Sequence, residues 1–121
     1  MTHQLTLTQV SEDMKQCIDL CLDCHSTCLN TIGYCLQKGG MHAEASHIKI
    51  LMDCAQSCQN SADFMLRSSE FHAKVCGVCA EICDRCAQDC DRMGDDAQMK
   101  ACAEICRRCA QSCRQMAMAM A

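Results

Sequence analysis

Thiols separated by four, three and four residues occur twice in nearly the same sequence: Cys79-Ala-Glu-Ile-Cys83-Asp-Arg-Cys86-Ala-Gln-Asp-Cys90 and Cys102-Ala-Glu-Ile-Cys106-Arg-Arg-Cys109-Ala-Gln-Ser-Cys113. Cys17, Cys21, Cys24 and Cys28 repeat the same steps, and Cys54 with Cys58 adds a further CxxxC pair. On a helix of 3.6 residues per turn, steps of three and four keep every sulfur on one stripe. Thiolates select soft metals, namely Cu(I), zinc and iron–sulfur clusters, so the chemistry this spacing suits is metal binding.

Charge separates these metals. A Zn²⁺ ion held by four thiolates leaves a site of −2, and several such sites buried without a compensating cation are heavily penalised. A Cu(I) ion that replaces one thiol proton leaves the charge unchanged, so about one monovalent ion per thiol fills the row without an unpaired charge. Seven CxxxC pairs are present: Cys17/Cys21, Cys24/Cys28, Cys54/Cys58, Cys79/Cys83, Cys86/Cys90, Cys102/Cys106 and Cys109/Cys113. Two sulfurs one turn apart can approach one ion from opposite sides, which suits low-coordinate Cu(I) better than a tetrahedral ion. The CxxC spacings, such as Cys21/Cys24 and Cys83/Cys86, fall inside the helical stripes rather than on the turns that zinc ribbons use. A ferredoxin-type cluster run ends in Cys-Pro, and this chain has no proline. Disulfides within a helix are disfavoured, because i and i+4 Cβ atoms lie about 5–6 Å apart and a disulfide needs roughly 3.5–4.5 Å.

The elements that must position these thiols are helices. Ser11 is a fitting N-cap before Glu12 and Asp13, and Gly39-Gly40 closes the first helix. A second helix is expected from about Met41 to Arg67, a third opened by Ser68-Ser69-Glu70 and stopped at Gly94, and a fourth opened by Asp95 with Gln98 as a capping-box variant. Connections this short make neighbours antiparallel, so the fold expected is all-α, an up-down-up-down four-helix bundle with a Cys-lined core, occupying residues 1–121 as one metal-binding domain. Its inward seams read Met14, Cys17, Cys21, Cys24, Cys28, Thr31, Cys35; His47, Leu51, Cys54, Cys58, Ser61, Met65; His72, Cys76, Cys79, Cys83, Cys86, Cys90, Met93; and Met99, Cys102, Cys106, Cys109, Cys113, Met116, Met120. Every cysteine falls on a seam, and no Lys, Arg, Asp or Glu does. Asp19, Asp23, Lys74, Glu81, Arg85, Arg107 and Arg108 fall on the outer face.

Composition agrees with an unusual core. The chain has 16 Cys and 10 Met, against only 19 Leu, Ile, Val and Phe together. Free cysteine packs as a small hydrophobe, and metal bound within such a core stabilises the fold by linkage. A net charge of −4 and the lack of a basic, aromatic-interleaved stripe argue against a nucleic-acid partner. No stretch reaches transmembrane length, so no membrane partner is expected. The first ten residues lack the features of a secretory leader, which points to the cytoplasm.

The CxxxCxxCxxxC runs at Cys17–Cys28, Cys79–Cys90 and Cys102–Cys113, with the Cys54/Cys58 pair, resemble those of the four-helix-bundle copper storage proteins, cytosolic type. The resemblance spans about Met14 to Met116. It implies storage of many Cu(I) ions per chain along the bundle core, with the seam cysteines as ligands, in a homo-oligomer that resembles a tetramer. A copper chaperone or acceptor protein would serve as a partner. Thr31, Leu51 and Ser61 stand where further thiols would complete the row.

Thioethers and imidazoles bind Cu(I) without adding negative charge, which directs attention to the ends. Met14, Met65, His72, Met116 and Met120 converge where the first helix starts and the fourth closes, as Met and His do at the open end of copper storage relatives, and form the preferred mouth. His47, Met93 and Met99 mark the opposite end as a rival. His25 lies off the stripe and reads as a surface residue, His3 and His42 as solvated, and Tyr34, Phe64 and Phe71 as packing groups at the bundle ends. No nucleophile–base–orienter set or phosphate loop is present, so the chain does not read as an enzyme. The alternative is a zinc or cadmium thiolate buffer with a metallothionein-like role. An iron–sulfur carrier and a purely packing role for the thiols are further rivals.

Overall fold

The computed structural model describes residues 7, 8 and 10–119. Four α-helices account for nearly all of it: α1 Glu12–Lys38, α2 Ala45–Leu66, α3 His72–Asp91 and α4 Ala97–Ala119, with a short 3-10 turn, Gly40–Ala43, between the first two. Each helix packs on two neighbours, α1 on α2 and α4, and α3 on α2 and α4. This is the antiparallel four-helix bundle expected from the spacing. No described helix is long and apolar enough to cross a membrane. Met120 and His3 lie outside the described residues.

α1 begins as expected, with Ser11 Oγ accepting the Met14 N–H at 3.1 Å. It ends where Gly39 and Gly40 take φ of 74° and 58°, a left-handed pair that turns the chain without Cβ strain. The remaining boundaries differ from the expectation. α2 starts at Ala45 rather than Met41, because the residues after Gly40 tighten into the 3-10 turn. Ser68 and Ser69 close α2 instead of opening α3. Ser68 has φ 52°, its N–H reaches Met65 O at 3.0 Å, and the Ser69 N–H reaches Phe64 O at 2.9 Å. These bonds form a Schellman-type stop with serine where glycine is usual. α3 stops at Asp91, before Gly94. α4 is capped by Asp96, not Asp95: Asp96 Oδ1 accepts the Met99 N–H at 3.0 Å, and Gln98 turns instead to Thr31 Oγ1 at 3.0 Å.

All sixteen cysteines are buried. Ala55, Ala62, Ala80, Ala87, Ala103 and Ala110 are buried beside them, and these small side chains let the helices draw together around the sulfurs. Leu51, Met65 and Met99 are the largest fully buried apolar side chains, so sulfur supplies most of the interior that aliphatic groups occupy in other bundles.

Candidate metal centre

Every described seam residue faces inward. Thr31, Leu51 and Ser61, the breaks in the thiol row, are fully buried, as are His47, Met65 and Met99. His72 and Met116 are buried, whereas Met14 and Met93 are half-buried. Thr31, His47, Ser61 and His72 are the buried polar residues among those described, so the core holds no Lys, Arg, Asp or Glu.

The antiparallel register sets the sulfurs against one another across helices. Cys17 and Cys21 lie 3.7 and 3.5 Å from Cys113, Cys24 and Cys28 lie 3.7 and 3.9 Å from Cys106, and Cys54 and Cys58 each lie 3.6 Å from Cys83. Diagonal contacts close the centre, with Cys54 to Cys106 and Cys58 to Cys109 both at 3.8 Å. Within a helix, Cys79 to Cys83 is 3.8 Å and Cys109 to Cys113 is 4.0 Å. Contacts between helices are thus as short as those one turn apart, and thiolates from different helices can share an ion. Periodicity assigns each thiol to a stripe but does not pair one stripe with another, so this pairing was not readable from spacing.

Three groups of four sulfurs lie within 4.8 Å of one another: Cys21, Cys79, Cys109, Cys113; Cys24, Cys58, Cys83, Cys109; and Cys24, Cys28, Cys54, Cys106. Cys109 belongs to the first two groups and Cys24 to the last two, so the groups form one continuous chain through ten different thiols. Three divalent ions on those ten thiolates would leave a charge of −4, with no buried cation to balance it. Monovalent ions replacing protons one for one leave none.

The apo thiols are coupled by their hydrogen bonds. Cys24 is pushed down, first by its bond with Cys106, while Cys106 is pushed up, first by its bond with Cys102. One thiolate is stabilised by surrounding S–H donors, and the next must form beside a negative charge. Emptying the row of protons therefore requires cations to take their place. Ser61 Oγ donates to Cys76 Sγ at 3.2 Å, and Ser57 Oγ to Cys79 Sγ at 3.6 Å. These hydroxyl contacts favour the thiolate form and were not singled out from the sequence.

Residues assigned to the surface turn out to tie the bundle together. His25 Nδ1 bonds Ala55 O at 2.7 Å, joining α1 to α2. His42 Nε2 lies 3.1 Å from Asp96 Oδ2, which also accepts the Tyr34 hydroxyl at 2.5 Å. His42 is therefore a bonded bridge, not a solvated turn residue, and Tyr34 is a hydrogen-bond donor as well as a packing group. Tyr34, the Met99 N–H and His42 together hold the Asp96 carboxyl down at about 2, against the cost of its burial. Phe64 stacks beneath the Arg67 guanidinium at 4.4 Å, whereas Phe71, the N-cap residue of α3, leaves its ring exposed.

The copper storage protein family model matches residues 10–118. Among solved structures, a protein from Nitrosospira multiformis is 47% identical with a TM-score of 0.84, over 89% of this chain and 97% of that one. The Cu(I)-bound copper storage protein 3 of Bacillus subtilis is 32% identical with a TM-score of 0.81, over 88% of this chain and 99% of its own. A copper storage protein from Streptomyces lividans, loaded with 10 copper equivalents, is 29% identical with a TM-score of 0.77, over 97% and 93%. No functionally curated protein matches. With its thiol-lined bundle and a family match over nearly its whole length, this chain belongs to the copper storage protein family.

Proposed function

We propose that this chain stores multiple Cu(I) ions on the thiolates of its core, about one ion per thiol, with Cys17, Cys21, Cys24, Cys28, Cys35, Cys54, Cys58, Cys76, Cys79, Cys83, Cys86, Cys90, Cys102, Cys106, Cys109 and Cys113 as ligands. The observation that carries the reading is the chain of thiol groups joined through Cys109 and Cys24 in a core without charged side chains. Each ion displaces one proton to solvent, and bridging sulfurs let neighbouring ions share ligands. Ions pass through the end bearing Met14, Met65, His72 and Met116. The His72 Nδ1 atom is buried there with no hydrogen-bond partner among the described residues, as a waiting soft-metal donor would be. The protein works as a cytoplasmic store rather than as an enzyme, exchanging copper with a chaperone or acceptor. Leu29, Leu36, Met52 and Val78 are apolar and more than half exposed, which supports assembly with further copies, a homotetramer by resemblance.

An anaerobic titration with Cu(I) against a competing chelator tests this. Uptake near one ion per thiol, with one proton released per ion, supports storage. Weak Cu(I) uptake with saturation near one Zn²⁺ per four thiols supports the zinc or cadmium buffer instead. Light scattering of the loaded protein tests the tetramer.

A further inference from the structure

One sulfur of the row differs from the others in its surroundings. Cys35 lies outside the three four-thiol groups, near the end of α1, and its neighbours are of other kinds. His47 Nε2 stands 3.5 Å from Cys35 Sγ, and Met99 Sδ stands 3.6 Å from the same sulfur. All three residues are fully buried. The other ring nitrogen of His47, Nδ1, lies 2.6 Å from Asp89 Oδ2. An ionised carboxylate only accepts, so in the neutral imidazole the hydrogen sits on Nδ1 and the Nε2 lone pair faces Cys35 Sγ, whose one thiol hydrogen is shared between His47 Nε2 and Met99 Sδ in the metal-free protein. Asp89 is itself anchored by Arg92 Nη1 at 2.9 Å, and Arg92 reaches on to Glu44 at 3.7 Å. Although burial opposes it, the His47 and Arg92 bonds hold the Asp89 carboxyl below its ordinary range.

The geometry points to a separate, single-ion Cu(I) site made of Cys35 Sγ, His47 Nε2 and Met99 Sδ, with Asp89 as its positioning residue. It rests on the storage reading for the identity of the metal and departs from it in ligand chemistry, since one thiolate is joined by a neutral imidazole and a neutral thioether. The ion displaces the Cys35 thiol proton to solvent, so one positive charge arrives as one leaves, and His47 Nε2 exchanges a hydrogen bond for a metal bond. His47 Nδ1–H stays on Asp89, the arrangement by which carboxylates orient metal-bound imidazoles. Cys35 makes no sulfur contact with another cysteine among the described residues, and Cys102 and Cys86 act on it only through their charge. The site therefore terminates the sulfur chain and holds its ion on an imidazole and a thioether that the bridged ions do not share.

The test uses the full chain labelled with ¹⁵N and with ¹³C at the methionine methyls, with Cu(I) supplied anaerobically as its acetonitrile complex. Imidazole-tuned NMR follows His47 Nε2, the ¹³C methyl signal follows Met99, and the ultraviolet thiolate-to-copper band follows the core. The site requires the His47 Nε2 and Met99 methyl signals to move together while the His47 Nδ1–H signal persists. Asp89→Ala should weaken that step roughly 10–100-fold, as loss of an orienting carboxylate does, and leave the core band intact. Met99→Leu, a volume-conserving change, should keep the fold and weaken the His47 response. A core band of wild-type size with unmoved His47 and Met99 signals overturns the site and leaves storage standing. Movement of both signals with no core band overturns storage and leaves the site. Silence in all three readouts overturns both, and an Asp89→Ala variant with unchanged affinity removes the positioning role.

Discussion

Where α1 ends and α2 begins, polar side chains stitch the whole bundle together. Asp96 takes Tyr34 from α1 and His42 from the 3-10 turn, Gln98 of α4 reaches Thr31 of α1, and His47 of α2 is bound to Asp89 of α3. At the opposite end, where α1 begins and α4 closes, Ser61 reaches Cys76 from α2 to α3, and outside the thiol row Ser11 bonds the Met14 N–H, Ser69 the Phe71 N–H and Arg67 the Asp63 O, all local contacts. Met14, Met65, Met116 and His72, whose buried Nδ1 has no hydrogen-bond partner among the described residues, fill the remaining space. One end is closed by directional bonds between helices. The other is packed with soft side chains that move aside at little cost, which is what a passage for ions needs.

The sharpest way to break this contrast is to remove the one buried histidine at each end from the metal-free, fully reduced protein. His47→Leu leaves the Asp89 carboxylate without its buried partner and should cost about 2–4 kcal/mol, a fall of roughly 8–16 °C in Tm for a chain of this size. His72→Leu removes a buried atom that has no partner, so the apo protein should hold its stability or gain up to about 1 kcal/mol. Equal losses by thermal or urea unfolding would mean that the two ends are not differently built.

Caps provide the next comparison. Asp96→Ala deletes an N-cap together with the Tyr34 and His42 bonds, and should cost about 2 kcal/mol. Ser11→Ala, a cap whose side chain bonds only Met14 N–H among the described residues, should cost about 0.5–1 kcal/mol. A Ser11 variant as damaged as the Asp96 variant would show that α1 is anchored from its first turn rather than from its last.

The same carboxylate gives the stitched end a pH dependence. Its folded pKa of about 2 lies below the ordinary aspartate value, near 3.9 in unfolded chains. Its contribution is therefore present in full above about pH 4 and lost as pH falls from there through 2. The urea midpoint of the metal-free protein should drop across that window, and Asp96→Asn should drop less steeply. Parallel curves for the two proteins would remove Asp96 as the source.

How legible each end was follows from the range of its contacts. The thiol rows and the Met and His seam positions recur at three and four residues, so a local period exposes them, and the structure buries Cys17 through Cys113 as that period requires. The stitched end is joined by pairs such as His47 with Asp89 and Tyr34 with Asp96, 42 and 62 residues apart. No period links such residues. Asp89 looks like any outer-face carboxylate, and His42 like any turn histidine, until the helices are assembled. Capping was ambiguous for a related reason: Asp95 and Asp96 are adjacent, and only the path out of the turn decides which of them meets the Met99 N–H.

The methionine changes should cost little stability, and they bear most directly on function. Met→Leu swaps nearly preserve volume and usually cost less than about 1.5 kcal/mol, so Met14→Leu with Met116→Leu should leave the fold and the final copper capacity unchanged. A Cu(I) ion crossing that end would nevertheless lose two neutral sulfur donors on its way to Cys17 and Cys113, which lie 3.7 Å apart just inside. The first phase of uptake, followed by stopped-flow through the thiolate-to-copper band, should slow several-fold. Met93→Leu, a half-buried methionine near the stitched end, should leave that phase as it is. If Met93→Leu slows uptake and the double variant does not, copper arrives through the end closed by Asp96 and Asp89, and the hydrogen bonds there are a gate rather than a plug.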